Sequence, residues 1–398
     1  MTDIAVPIIA ILAVYIALFI TSPLIALLHE LGHAFAYLIL TKPNHIDVFV
    51  GSYGNEKNSY SFKLGRLSLH FKYSFPFIWG VGLCKSDTIE STPWKYIIIL
   101  LAGPIFTLVM AIVFGLLAFH FDANGQLRMF CVALILFSFI SLLTNLAPRT
   151  LNRSTANYLE SDGRQIAFTL KYWKVYPQYL SILDSIQKER FEVALFKIDN
   201  LLKNNKPHER LLRYQIACNI ALKRYETVIE LTQQLNRFVY LTKVDYMNRG
   251  CAYSLLDKHE LAIKDYYIVI KADATNPIVF NNLGYGLIET GDYKKAEKVL
   301  KKSISLNRDL SYANSNLGYL KILTGNFEQA KIVLDKAQEL DPAEPHNYKY
   351  LGIYHLRTMN LEEAQTNFHK CLELDSSIDL KKYLDEIELL NKRDKVAL

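Results

Sequence analysis

His29-Glu30-Leu31-Gly32-His33 is the chemically pointed stretch of this 398-residue chain. On a helix, the i, i+4 spacing sets both imidazoles on one face, one turn apart. That pattern suits two nitrogen ligands on one zinc ion, with Glu30 beside the open coordination position, where it can take a proton from water. With ten histidines among 398 residues, an HExxH pattern arises by chance in about one such chain in a hundred. The pattern alone is modest evidence, and its setting has to carry the argument.

The setting is apolar. Residues 4–40 are almost unbroken hydrophobic sequence, interrupted by Thr21, Ser22 and Pro23 and by His29, Glu30 and His33. One membrane span needs about 20 residues, so 4–40 is either one long helix kinked at Pro23 or two short helices turning at 21–23. No basic segment precedes the run and no small-residue cleavage site ends it, which argues against a cleaved signal peptide. An ionisable group at hydrocarbon depth costs about 2.5–3.5 kcal/mol when charged, so this cluster calls for a partner or a function. Neutral, hydrogen-bonded histidines with a protonated or paired Glu30 would satisfy the burial but leave the spacing unexplained. A hydrolytic zinc site needs a third protein ligand. His45 in a loop, His70 in a strand-like run, His120 at the end of an apolar run, and Asp162 in Ser161-Asp162-Gly163-Arg164 are the candidates.

Around these residues the chain reads as two domains, 1–172 and 173–398. Further spans are expected at 94–119 and 127–146, joined by the polar link 122–126. The connection from 42 to 95 carries Lys42, Lys57, Lys63, Arg66, Lys72, Lys85 and Lys95, and Arg149, Arg153, Arg164, Lys171 and Lys174 follow the last span. The 121–126 link has no Lys or Arg. The positive-inside rule then places both basic regions, and the C-terminal domain, in the cytoplasm of a multi-pass protein, with the cell membrane as its expected location. Runs rich in Val, Ile, Phe and Tyr at 46–50, 60–64, 67–73 and 77–83, punctuated by Gly51, Gly54, Asn55, Gly65 and Pro76, predict a small antiparallel sheet or hairpin pair at the membrane surface, or a compact covering loop. A composition of 51% hydrophobic and 12% aromatic residues excludes a disordered chain. A net charge of +6 with no basic stripe argues against nucleic acid as a partner. Cys84, Cys131, Cys218, Cys251 and Cys371 are scattered and never in CxxC spacing, which suggests neither a disulfide framework nor a thiolate zinc site.

Four motifs together resemble the site-2 protease family of intramembrane zinc metalloproteases, peptidase family M50. They are Leu28-His29-Glu30-Leu31-Gly32-His33-Ala34, Ala102-Gly103-Pro104, Asn145-Leu146-Ala147-Pro148 and Asp162-Gly163, in the family's order, with the strand-rich segment where the family has its β region. The resemblance covers roughly 20–170. It implies His29, His33 and Asp162 as zinc ligands, Glu30 as general base, Asn145 near the scissile carbonyl, and peptide bonds of membrane proteins as substrate. One departure stands out: Pro148 and Asp162 are 14 residues apart where the family spacing is a few, and Ser161 replaces the usual Leu. The same two residues, Ser161 or Asp162, could equally cap a helix over 166–170.

Beyond 173, Gly250, Gly284, Gly318 and Gly352 recur at 34 residues, as do Ala262, Ala296, Ala330 and Ala364. This resembles the tetratricopeptide repeat. About six units are expected over 175–376, the first two degenerate, with 378–390 as a capping helix. Tyr266, Leu300, Leu334 and Phe368 are expected to fill the space between neighbouring repeats. The fold class is therefore mainly α: a polytopic membrane helix bundle with a small membrane-associated β segment, followed by a soluble α-solenoid that binds a protein or peptide partner. The functional expectation is a zinc intramembrane endopeptidase; the alternative is an inactive membrane scaffold presenting the repeats.

Overall fold

A computed structural model describes residues 2–54, 56, 58–73, 81–88, 92–120, 125–148, 150–152, 159–203 and 208–397, with the backbone alone for 2–20, 126, 150–152, 159 and 393–397. The chain is mainly helical and divides into two compact units, Met1–Asn204 and Asn205–Leu398.

The first unit opens with α1, Thr2–Leu40, a single helix that runs through Pro23. One ladder bond is lost at the proline while the residues on both sides keep theirs. Next come α2, Pro93–His120, and α3, Gly125–Leu146. Thr21–Leu40 of α1, all of α2 and Leu127–Leu146 of α3 are long and apolar enough to cross a membrane. Residues 121–124 of the expected link lie outside the described residues.

Between α1 and α2 lie β1, Ile46–Val50, β2, Ser59–Leu64, β3, Leu67–Lys72, and β4, Gly82–Ser86, in the order β2-β3-β1-β4. The sheet is mixed, not antiparallel throughout: β1 runs parallel to β3 and antiparallel to β4. Gly65, with a φ of 61°, opens a two-residue turn that sets β3 antiparallel to β2. It is β3, not β2, that pairs with β1. The expected strand at 77–83 instead begins at Gly82; residues 74–80, Asn55 and Lys57 lie outside the described residues. Ile46 and Val48, fully buried, pack on Ala34 and seat the sheet on α1.

The stretch between Pro148 and Asp162 returns the chain through β5, Thr150–Asn152, and β6, Leu159–Glu160, which pair antiparallel. Arg149 and residues 153–158, Arg153 among them, lie outside the described residues. Then follow α4, Asp162–Lys171, a 3-10 turn at Trp173–Val175, and the pair α5, Tyr176–Gln187, and α6, Phe191–Lys203. The repeat phase assigns α5 and α6 to the array, yet they fall in the first unit. Buried Phe168, Tyr172, Tyr176 and Tyr179 form one aromatic cluster that joins α5 to α4, and Tyr96 of α2 lies 6.1 Å from Tyr176.

Among the described residues the second unit holds five helix pairs and a last helix: α7, Glu209–Ala221, with α8, Tyr225–Asn236; α9, Lys243–Leu255, with α10, His259–Ala272; α11, Pro277–Glu289, with α12, Tyr293–Leu306; α13, Ser311–Leu323, with α14, Phe327–Leu340; α15, Pro345–Arg357, with α16, Leu361–Leu374; and α17, Lys381–Ala397. Asp292 and Asn326 cap α12 and α14 by accepting from the N–H groups of Lys295 and Gln329. In the four pairs from α9 to α16 the recurring glycines face the recurring bulky residues of the same pair. A Cβ on Gly284 would lie 2.5 Å from Leu300, one on Gly318 2.5 Å from Leu334, and one on Gly352 2.5 Å from Phe368. These side chains therefore close their own hairpin rather than only the gap to the next one. We expect Leu334→Ala to cost about 2–5 kcal/mol and Gly318→Ala about 1–3 kcal/mol by overpacking, read as lowered unfolding midpoints; an unchanged midpoint for both would contradict this packing.

Candidate metal centre

His29, Glu30 and His33 sit on α1 where it crosses α2 at glycine distance. A Cβ on Gly32 would lie 2.5 Å from the Ala102 carbonyl oxygen and 2.9 Å from Gly103 Cα, and a Cβ on Gly103 would overlap the His33 ring. Small residues on both helices let the backbones approach, and the close approach lets α2 reach the site. The Ile99 carbonyl accepts a hydrogen bond from His33 Nδ1 at 2.7 Å. That bond fixes the tautomer in which Nε2 carries a lone pair.

Asp162 comes from α4. Ser161 is the helix cap, its hydroxyl accepting from the Arg164 N–H and donating to the Ala147 carbonyl at 2.6 Å. With Ser161 in that role, Asp162 is free to turn inward, so the cap and the candidate ligand are neighbouring residues and not rivals. Gly163 packs against the end of α3: a Cβ there would overlap the Leu146 carbonyl group. The β5–β6 return and this glycine contact together bring the Asp162 carboxylate to the two histidines.

The three groups converge. His29 Nε2 is 3.1 Å from His33 Nε2 and 3.2 Å from Asp162 Oδ2, His33 Nε2 is 3.7 Å from Asp162 Oδ1, and all three residues are buried. Their ligand atoms lie within 4.8 Å of one another. Zinc–nitrogen bonds of about 2.0–2.1 Å put the corners of a tetrahedron roughly 3.3–3.4 Å apart, close to these separations. Burial pushes the Asp162 carboxyl up, but His33 and His29 outweigh it and keep it below the usual carboxylate range. His29 Nδ1 is buried without a hydrogen-bond partner among the described residues. Three converging ligand atoms in an apolar surround, with one ring nitrogen left unpaired beside them, make a donor set that a divalent cation can use. The donor set therefore fits zinc, with His29, His33 and Asp162 as the residues that would hold it.

Glu30 is buried beside the same turn, under β4. A Cβ on Gly82 would lie 2.7 Å from Glu30 Oε1, and the Cys84 backbone N–H donates to the carboxylate. Ile99, Gly82 and Cys84 were not visible as site residues in the sequence, since two of them act through backbone atoms and the third through a missing side chain. The remaining candidates go elsewhere. His45 and His70 both meet Asp47 Oδ1, at 2.9 and 3.1 Å. Burial raises that carboxyl, and the bonds from His70 and His45 bring it below its ordinary value. His120 ends α2. The Asn145 amide donates to Ser141 Oγ one turn back in α3, a bond within its own helix.

With its 34-residue phase and paired helices, the C-terminal part of the chain is a tetratricopeptide-repeat array, a class of module that makes protein–protein contacts. Tetratricopeptide repeat models match residues 246–276 and 287–351. No curated protein matches the chain. Similar solved structures include MamA (residues 41 to the end) from Desulfovibrio magneticus RS-1, with 14% identity over 42% of this chain and 93% of that one at a TM-score of 0.39. A thermophilic tetratricopeptide protein of Thermus thermophilus shares 18% identity over 46% and 99% of the two chains, TM-score 0.40. A tetratricopeptide repeat protein from Parabacteroides merdae ATCC 43184 shares 14% over 57% and 93%, TM-score 0.44.

Gly163→Ala should displace Asp162 by forcing α4 off Leu146. Zinc affinity, measured by chelator competition on the purified chain, should fall roughly 10–100-fold. Gly125→Ala, where a Cβ meets nothing within 4 Å, should leave it unchanged; equal affinities in the two variants would sever α4 from the site.

Proposed function

We propose that this protein is a zinc-dependent endopeptidase working within the membrane on membrane-protein or membrane-bound peptide substrates, with its repeat array in the cytoplasm as the docking module for a substrate or regulator. The observation that carries the reading is the convergence of His29, His33 and Asp162 on one buried point with Glu30 beside it. Three helices of spanning length among the described residues support the membrane setting, as do large apolar side chains left exposed on them, such as Ile39, Leu116 and Met129.

Bound zinc would supply Lewis acidity toward a water molecule and a peptide carbonyl. Glu30, seated by Gly82 and the Cys84 N–H, takes the proton of the attacking water and returns it to the leaving amine. His33 is kept in the ligating tautomer by Ile99. Asp162 closes the donor set from a second helix.

The sheet edge suits the substrate's needs. Gly51 N–H bonds Val81 O and Asp87 N–H bonds His45 O. In an antiparallel pair this parity assigns the odd-numbered residues of β4 to β1 and turns the N–H and C=O groups of Gly82 and Cys84 outward, on the side where Glu30 sits; the Cys84 N–H is taken by Glu30, which leaves the Gly82 groups and the Cys84 C=O for an incoming strand. A scissile peptide bond in a helix is shielded by its own hydrogen bonds, so the segment must unwind first; an added strand on β4 would accept it.

Glu30→Gln should keep its zinc and lose about 10²–10⁴-fold in cleavage rate, measured on reconstituted chain with the membrane proteins that co-purify with the repeat array. A Gln variant that cuts as fast as wild type, or zinc retained by His29→Ala His33→Ala, leaves only a membrane-tethered scaffold. Substrates with Gly or Pro near the cut site should be preferred over uninterrupted Leu spans. Equal rates for both would rule out local unwinding as the selective step.

A further inference from the structure

The chain that follows the candidate centre has an exposed face of unusual composition. Leu170 is 57% exposed and Trp173 41%, with the exposed Lys171 and Lys174 between and after them. The opposite face is buried through Phe168 and Tyr172. The first turn of α2 offers the same pairing, Trp94 at 47% exposure followed by Lys95, at the point where a long apolar helix begins. The two places are tied together: Tyr96 donates to Gln165 Oε1 at 2.6 Å, fastening α4 to that end of α2. None of Lys95, Lys171 and Lys174 forms an ion pair among the described residues, and Lys95 and Lys171 lie over aromatic rings at 5.8 and 5.4 Å.

Indole rings concentrate where a bilayer changes from hydrocarbon to headgroup, and lysines there extend their charge to anionic lipid. We propose that Trp94, Lys95, Leu170, Lys171, Trp173 and Lys174 form one seat on the anionic headgroup layer of the membrane, so that α4 and the turn after it lie along the bilayer surface. The inference rests on the membrane reading of α1, α2 and α3, and extends it to a segment that is not a span. The seat has a purpose for the centre. Asp162 opens the helix whose last turn carries Leu170 and Lys171, about 12 Å away along the axis, so anchoring that turn fixes the depth of the carboxylate.

The test uses the full chain in lipid nanodiscs, as two variants that each keep one tryptophan: W79F W94F for Trp173 and W79F W173F for Trp94. Circular dichroism melts confirm that both fold. With acyl chains brominated near the headgroup, Trp173 emission should drop roughly twofold, and far less with bromines near the chain ends. K171Q K174Q should retain anionic phosphatidylglycerol through detergent extraction more weakly, by roughly fivefold per lysine. If Trp94 is quenched by lipid while Trp173 responds only to aqueous acrylamide, the seat is overturned and the membrane reading stands. If Trp173 is shielded from both quenchers, protein rather than lipid covers this face and the proposal also fails. If neither tryptophan meets brominated lipid, the membrane reading falls together with the proposal.

Discussion

Two imidazoles and a carboxylate are costly to take out of water, and the cost is offset only where they are held within hydrogen-bonding range of one another. Most of the first unit can be read as the means of enforcing that closeness. The Gly32–Gly103 crossing brings α2 close enough for the Ile99 carbonyl to hold His33. The β5–β6 return and the Gly163 contact bring Asp162 from a different helix to the same point. The sheet, seated on α1 through Ile46 and Val48, lays Gly82 and Cys84 over Glu30. Each glycine in this set is where it is because a methyl group would strike a histidine, a carbonyl or the glutamate.

What the sequence made legible follows from periodicity. His29 and His33 declare a shared face because helical spacing is regular, and the bounds of the strand at 46–50 are legible because its apolar run is short and punctuated. The 34-residue recurrence by itself specifies helix pairs. The mixed strand order is not legible, because β1 pairs with the non-consecutive strand β3, a choice that side-chain alternation within each strand does not encode. The polar stretch before Asp162 hid a hairpin, since strands of two and three residues leave no alternation to detect. Ile99 and Cys84 contribute backbone atoms, for which side-chain identity carries no signal.

The two parts of the molecule solve opposite problems with the same residue. In the first unit, glycine admits polar groups to a place they would otherwise be excluded from. In the array, glycine admits Leu300, Leu334 and Phe368, and the result is a dry, fully apolar contact. The candidate chemistry therefore depends on a few unrepeated contacts, any one of which is critical, while the array distributes its stability over similar hairpins.

Because the four hairpins from α9 to α16 each close on their own glycine at the same 34-residue phase, a whole module can be duplicated or excised during evolution while every remaining hairpin of that set keeps its internal contact. The recognition surface can thus lengthen or shorten by recombination, while the geometry around His29, His33 and Asp162 has no comparable latitude and must be inherited intact.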